Sequence, residues 1–242
     1  MGLAASTSNS HYNSLRLNLE KRFSKGFTIL ANYTRSRMLD DIGPNGASYG
    51  STDPLDRRFD YGVSNDDVPN VFFSGVWQIP NALLRGVTNT LVNGWELTAL
   101  TNWRSGFPYT VFSSVDNSFS GVGSDRADYI GGNASLDPGR SHGALIQEFF
   151  NVNAFVPNAI GTFGSSGKNI LHGPRYFDTD LGLLKDVAIG ERWKLQVRAE
   201  FFNAFNNVNF GQPQNYLGSP STGQITSANS PRVLQLALKL NF

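Results

Sequence analysis

Residues able to do acid–base or metal chemistry are few and scattered. Of the 3 histidines, His11, His142 and His172, none has a partner at a metal-ligand spacing such as HExxH, so they read as solvated loop residues and no metal is expected. Asp116, Ser118, Ser120, Asp125 and Asp128 have the outline of a calcium loop, but Ala127 stands where a Glu is required. The stretches Gly121–Gly123 and Gly164–Gly167 lack the Lys and the strand-to-helix setting of a phosphate loop and read as flexible loops. With 0 cysteines there is no disulfide framework and no thiolate ligand. No Ser-His-Asp set is recognisable, so neither an enzyme nor a cofactor is expected. The charges worth following are Glu96, Arg104, Asp178, Asp180, Arg198 and Glu200, each on the polar side of an alternating segment.

Composition narrows the class. The 242 residues carry 20 basic and 19 acidic side chains, a net charge of +1, which excludes the basic surplus of a nucleic-acid binder. A chain 40% hydrophobic and 12% aromatic carries too much apolar surface for charge-driven disorder. The 25 glycines, 11 prolines and 24 asparagines predict many turns and an all-β chain. No run of ~20 apolar residues could form a membrane helix. The opening MGLAASTSNS has neither the basic nor the apolar region of a secretory signal.

Seven segments alternate with period two, which sends successive side chains of a strand to opposite faces. Leu15, Leu17 and Leu19 oppose Ser14, Arg16, Asn18 and Glu20; after Ser24-Lys25-Gly26, the residues Phe27, Ile29, Ala31 and Tyr33 oppose Thr28, Asn32 and Thr34. Val71, Phe73, Trp77 and Ile79 form a third face, blurred by Phe72 and Val76. Trp95, Leu97, Ala99 and Trp103 oppose Glu96, Thr98, Asn102 and Arg104. Within Tyr176 to Val187, Phe177, Thr179, Leu181 and Leu183 oppose Asp178 and Asp180. Trp193, Leu195, Val197, Ala199 and Phe201 oppose Lys194, Gln196, Arg198 and Glu200, and Leu234, Leu236, Leu238, Leu240 and Phe242 oppose Gln235, Lys239 and Asn241. These segments exceed the ~5 to 6 residues usual in soluble sheets and match the ~9 to 11 of tilted membrane strands.

Connection lengths carry a second signal. Short links (Ser24–Gly26, Pro80–Gly94, Ala188–Arg192) alternate with long loops at 38–68, 107–174 and 206–231. Transmembrane barrels place short turns on the periplasmic side and long loops outside. Phe23, Phe27, Tyr33, Trp77, Trp95, Trp103, Trp193 and Phe242 lie near segment ends, where interfacial girdles would require them. The fold expected is thus an antiparallel meander of about seven long strands, part of a transmembrane outer-membrane β-barrel, with 1–9 a disordered start and 10–242 the barrel segment.

The C-terminal LQLALKLNF, with Leu234, Leu236, Leu238, Leu240 and the final Phe242, resembles the terminal strand that the barrel-assembly machinery reads as its signal. NSLRLNLEKRFSKGFTILANYTRSRMLDD, NDDVPNVFFSGVWQIP, NGWELTALTNWRSGFPYTV and RYFDTDLGLLKDVAIGERWKLQVRAEFFNAFNNVNFGQP look like successive segments of Oar-like TonB-dependent receptors, from about Ser10 to Phe242. That resemblance implies a large barrel behind a carboxypeptidase-regulatory-like domain and a plug, in the bacterial outer membrane. Its implied partners are outer-membrane lipid, the barrel-assembly machinery and, through a plug outside this chain, TonB. Seven strands are too few for a transporter barrel of about 22, so a C-terminal fragment that does not transport by itself is expected, with 38–68 and 107–174 carrying ligand contact for a peptide, glycan or siderophore. Arg198 and Glu200 lie on the polar face of their strand, and Asp178 and Asp180 on that of the neighbouring one, so cross-strand ion pairs between adjacent strands are expected in the lumen. Two other readings are a surface adhesion or structural barrel, and a soluble β-sandwich binding module that would bury Leu234, Leu236, Leu238 and Leu240.

Overall fold

The computed structural model describes residues 8–43, 51–53, 55–65, 67–80, 93–121, 123–190 and 192–242. In chain order its strands are β1 (Ser10–Ser24), β2 (Phe27–Asp40), β3 (Gly62–Val63), β4 (Asn70–Gln78), β5 (Trp95–Arg104), β6 (Pro108–Tyr109), β7 (Asp128–Tyr129), β8 (Phe155–Val156), β9 (Leu171–His172), β10 (Tyr176–Ile189), β11 (Trp193–Phe202) and β12 (Val233–Asn241). Among the described residues one short α-helix, α1, spans His142–Gln147. All seven long strands fall on the alternating segments. They lie side by side in the order β1-β2-β4-β5-β10-β11-β12, and every neighbouring pair is antiparallel. Each long strand therefore pairs with its sequence neighbour, as an antiparallel meander requires.

Register merges the seven apolar stripes into one face. Phe27, Trp77, Leu97, Leu183, Ala199 and Leu236 form a continuous row across six strands. Leu17, Tyr33, Val71, Trp103 and Phe177 form a second row on the same side. The neighbouring row, Arg16, Thr34, Asn70, Arg104 and Tyr176, lies on the other side. A shift of one residue in any pair would break this separation.

Among the described residues no second layer covers the long strands. Strand β1 is exposed along almost its whole length, and Leu234, Leu236, Leu238 and Leu240 are 54%, 72%, 73% and 49% exposed. A soluble sandwich would bury these leucines, so that reading is corrected: the apolar face is built for a solvent other than water. Among the described residues no helix is long and apolar enough to cross a membrane. Trp95 and Trp103, eight residues apart on one face, are ~27 Å apart along a strand at ~3.4 Å per residue. At a tilt of ~40° this spans ~21 Å, close to the ~25 Å apolar band of outer-membrane barrels.

Four cations on the apolar side test the assignment; Arg35, opposite Leu15, and Arg37, opposite Asn13, lie toward the loop end of β2, past the Tyr33 row. Lys21 and Lys185 fall on the apolar side by register, opposite Ile29 and Val197, but both sit near the short-turn end and bend toward it. The Lys21 ammonium lies 3.9 Å from the centre of the Phe27 ring and donates to the Ser24 hydroxyl at 2.6 Å. The Lys185 ammonium lies 5.1 Å from the Trp95 ring and donates to the Asn93 carbonyl. Such snorkelling keeps the stem in apolar surroundings and the charge at the interface. At the same end the Trp193 and Phe242 rings meet at 5.5 Å.

The long loops gather at the opposite end of the sheet. They hold the hydrophobic core: Tyr109, Val111, Ala127, Phe150, Phe155 and Leu171 from 105–175 pack with Leu217 from 203–232. The loop between β2 and β4 is joined by a buried ion pair in which Lys168 donates to Asp40 and also, at 2.8 Å, to the Ile42 carbonyl. Asn169 donates to the Val63 carbonyl at 2.7 Å and to Asn65 at 2.6 Å. The Arg126 guanidinium covers the Phe59 ring at 3.8 Å, and Phe59 meets Phe163 at 5.3 Å. The three loops form one cap.

Several loop expectations change accordingly. The Gly164–Gly167 stretch is packed: Gly164 is buried, and a Cβ there would collide with the Arg126 carbonyl, so close backbone approach requires glycine. Of the start 1–9, residues 1–7 lie outside the described residues, and the Asn9 amide donates to Asp41 at 2.7 Å. Of the Pro80–Gly94 link, 81–92 lie outside them too.

Leu238→Arg, mid-strand on the apolar face, is expected to cost about 2–4 kcal/mol in a bilayer, whereas Asn18→Arg on the other face stays within about 0.5 kcal/mol. Urea unfolding of the chain in lipid vesicles measures both. Lys168→Met leaves Asp40 buried without its counter-charge and is expected to loosen the cap by about 3–5 kcal/mol. The double change Asp40→Leu, Lys168→Met should recover most of that loss, read as protease resistance of the cap.

Candidate ligand-binding cavity in the loop cap

The register places Glu96, Arg104, Asp178, Asp180, Arg198 and Glu200 on one side of the sheet, opposite the apolar face. It does not make the expected ion pairs. Arg198 faces Leu184 and Glu200 faces Gly182, so Arg198 stands four residues, or ~14 Å along the strand, from the position opposite Asp180. Arg198 instead donates to Gln196 at 2.6 Å. Asp180 accepts the Asn203 amide at 2.9 Å, and Glu96 accepts from Gln78 at 3.2 Å. The ion pair between β10 and β11 is Lys194 with Asp186, at 2.7 Å. Arg104 lies against the Phe107 and Tyr176 rings, 4.4 and 4.9 Å from their centres. Asp178 and Asp180 line a cavity of about 450 Å³ with Asn203, Asn209 and Asn229.

The calcium-like loop spends its oxygens internally. Asp116 accepts the Ser120 and Gly121 amides at 3.0 and 2.9 Å, and the Gly121 N–H holds its carboxyl below the usual range. Asp125 accepts the Ser118 amide at 2.7 Å and Asn158 at 2.8 Å, and Asp128 accepts the Ser165 amide at 2.7 Å.

The larger cavity, about 620 Å³, lies where the cap meets the outer ends of β5 and β10. That volume falls within the ~300–1,000 Å³ range of small-molecule sites. Trp103, Phe149, Phe150 and Phe210 contribute its aromatic wall. Tyr109 and Ser105 contribute hydroxyls that have no hydrogen-bond partner, although both oxygens are buried. Tyr109 is only 7% exposed, its ring edge-on to Phe150 at 5.8 Å. Burial pushes its phenol far above the ordinary value, so the group is a neutral donor at any working pH.

Four basic side chains line the same cavity: Arg140, His142, His172 and Arg175. No Asp or Glu does. Arg140 is oriented by backbone carbonyls, donating through Nε to Asp137 at 2.9 Å and through Nη2 to Glu148 at 2.7 Å. His142 opens α1, where Ser141 caps the Ala144 amide at 3.3 Å, and its ring stands at 87° to Phe210 at 5.4 Å. His172 lies in β9, opposite Pro108 of β6. The short β6–β9 pairing thus brings Tyr109 and His172 together across 63 residues of chain. Two of the histidines read from sequence as isolated loop residues therefore share one site, whereas His11 lies in β1 opposite Leu39. Sequence reasoning missed Ser105, Tyr109, Arg140 and Arg175. No spacing joins them, and only the folded loop does.

An unpaired buried hydroxyl carries a desolvation penalty of about 1–3 kcal/mol. Tyr109→Phe is therefore expected to leave the cap as stable or slightly more stable. Leu171→Ala, which empties core volume beside it, should cost about 2–5 kcal/mol. Thermal unfolding in detergent, followed by near-ultraviolet circular dichroism, separates the two.

The sequence model of a family described as an outer membrane beta barrel domain matches residues 1–235. No curated protein and no solved structure matches the chain. The long antiparallel strands, the uncovered apolar face and the interfacial aromatics agree with that match. The chain belongs to the outer membrane beta barrel domain family.

Proposed function

We propose that this chain supplies the C-terminal barrel strands of an Oar-like TonB-dependent receptor, whose cap binds a bulky ligand for passage across the bacterial outer membrane. The observation that carries this reading is the cap itself. Three long loops are cross-braced into one body with a cavity at the barrel lip, a construction suited to holding a ligand and unnecessary for a wall that only spans. A surface adhesion or structural barrel is the second reading, and the exposed outer surface of the cap would serve it.

The strand directions bear on closure. β1 and β12 both run from the loop end to the short-turn end, so pairing them directly would make a parallel seam in an otherwise antiparallel wall. An odd number of additional strands between them would restore antiparallel pairing throughout, in keeping with a larger receptor barrel. In this reading Phe242 and the β12 leucines are the signal for the barrel-assembly machinery, outer-membrane lipid covers the apolar face, TonB acts through a plug beyond this chain, and the protein performs no catalysis.

Orientation is tested by placing single cysteines in a chain that has none. Ala159→Cys in the cap is expected to react with a membrane-impermeant maleimide on intact cells, and Arg192→Cys in the short turn only after the outer membrane is opened. Transport is tested separately by a nutrient-uptake screen. Loss of this protein and loss of TonB should abolish the same uptake, whereas a defect in surface attachment with uptake intact would favour the adhesion reading.

A further inference from the structure

We infer that the cap cavity is a binding site for an organic anion with an aromatic body, the class that includes aryl carboxylates and peptides ending in an aromatic residue. This deepens the receptor reading and rests on it for the ligand's fate, but binding itself is a separate claim about this cavity. Three independent features converge. Its wall is aromatic, with Trp103, Phe149, Phe150 and Phe210 offering ring faces and edges. Its charged lining is of one sign, two arginines without a carboxylate among the described residues, with two histidines beside them. Two of its lining residues, Tyr109 and Ser105, hold buried hydroxyls without a partner among the described residues.

Each feature has a physical consequence for the ligand. Among the described residues Arg175 takes part in no hydrogen bond or ion pair, and Arg140 satisfies part of its guanidinium on carbonyl oxygens, which neutralise nothing. The excess positive charge calls for an anion, and a guanidinium matches the planar fork of a carboxylate. Tyr109 is a buried donor with no partner among the described residues, and the proposal gives it one in the ligand. A neutral sugar would answer the hydroxyls but not the charge, and a bare inorganic anion would answer the charge but leave the aromatic wall wet. An aromatic carboxylate answers all three.

The test is isothermal titration of the chain folded in detergent micelles with three probes: N-acetyl-L-phenylalanine, its neutral amide, and phenyl phosphate. The carboxylate is expected to bind at least tenfold more tightly than the amide. Phenyl phosphate distinguishes carboxylate preference from a general anion site, and either of its outcomes leaves the anion class standing. Arg175→Gln should erase the difference between acid and amide. Tyr109→Phe, which keeps the cap folded, should weaken both probes severalfold and equally, and quenching of Trp103 fluorescence should be lost in Trp103→Phe. Equal affinity for acid and amide, an unchanged titration in Arg175→Gln, or no binding of any probe to a chain shown by circular dichroism to be folded would overturn the proposal. Binding without TonB-linked uptake would leave the site intact and remove the transport reading instead.

Discussion

Inside a bilayer no water is available to a backbone amide, so every N–H and C=O of a spanning strand must be answered by the strand beside it. That constraint organises the molecule. It forces long strands, neighbouring antiparallel pairs and a register that never slips within the wall, since a slip of one residue would turn leucines to the lumen and arginines to the lipid. The observed rows satisfy it across five neighbouring strands, from Leu17 through Tyr33, Val71 and Trp103 to Phe177 on one side and from Arg16 through Thr34, Asn70 and Arg104 to Tyr176 on the other. The two lysines on the apolar side lie where a snorkelling stem can reach the interface.

A wall designed for lipid has no interior of its own, and the buried core accordingly sits outside it. The cap depends on polar connections as much as on apolar packing: among the described residues, 17 polar or charged side chains are buried against 10 hydrophobic ones, and all of the 17 but Thr179 and Lys185 lie in the loops or at the loop end of β2. Asn158, Asn169 and Asp125 answer backbone and side-chain groups from distant segments. Arg126 is buried over Phe59, and burial pushes its guanidinium down to about 10, partly offset by Asp60, so it stays charged at neutral pH. Networks of this kind specify one arrangement of the loops, because each unmade bond would strand a buried polar group. A rigid cap can hold a cavity open, and this one is lined by two arginines and two histidines.

Much of the wall was legible in the residues. Period-two alternation located all seven long strands, and alternating connection lengths placed the loops on one side. Both signals are local, since a strand's faces follow from its own sequence. Lumen-side assignments for Glu96, Arg104, Asp178, Asp180, Arg198 and Glu200 followed for the same reason, and register agrees that they share a face. The expected ion pairs among them were not legible. Facing is set by parity within one strand, but pairing is set by the stagger between two, and the stagger puts Leu184 opposite Arg198.

Sequence by itself determined the class of this protein: a chain without membrane helices whose long alternating strands suit one oily and one wet face. It did so because the hydrophobic pattern repeats with the geometry of a single strand. Only the tertiary structure decided what the loops become. Gly164 proved to be a packing position, and His142 and His172, 30 residues apart, proved to line one cavity with Tyr109 and Arg175. Loop residues have no period that records where the chain will fold back. Their neighbours are chosen by long-range closures such as Tyr109 with Leu171 and Lys168 with Asp40, which exist only once the sheet has brought the loop ends together.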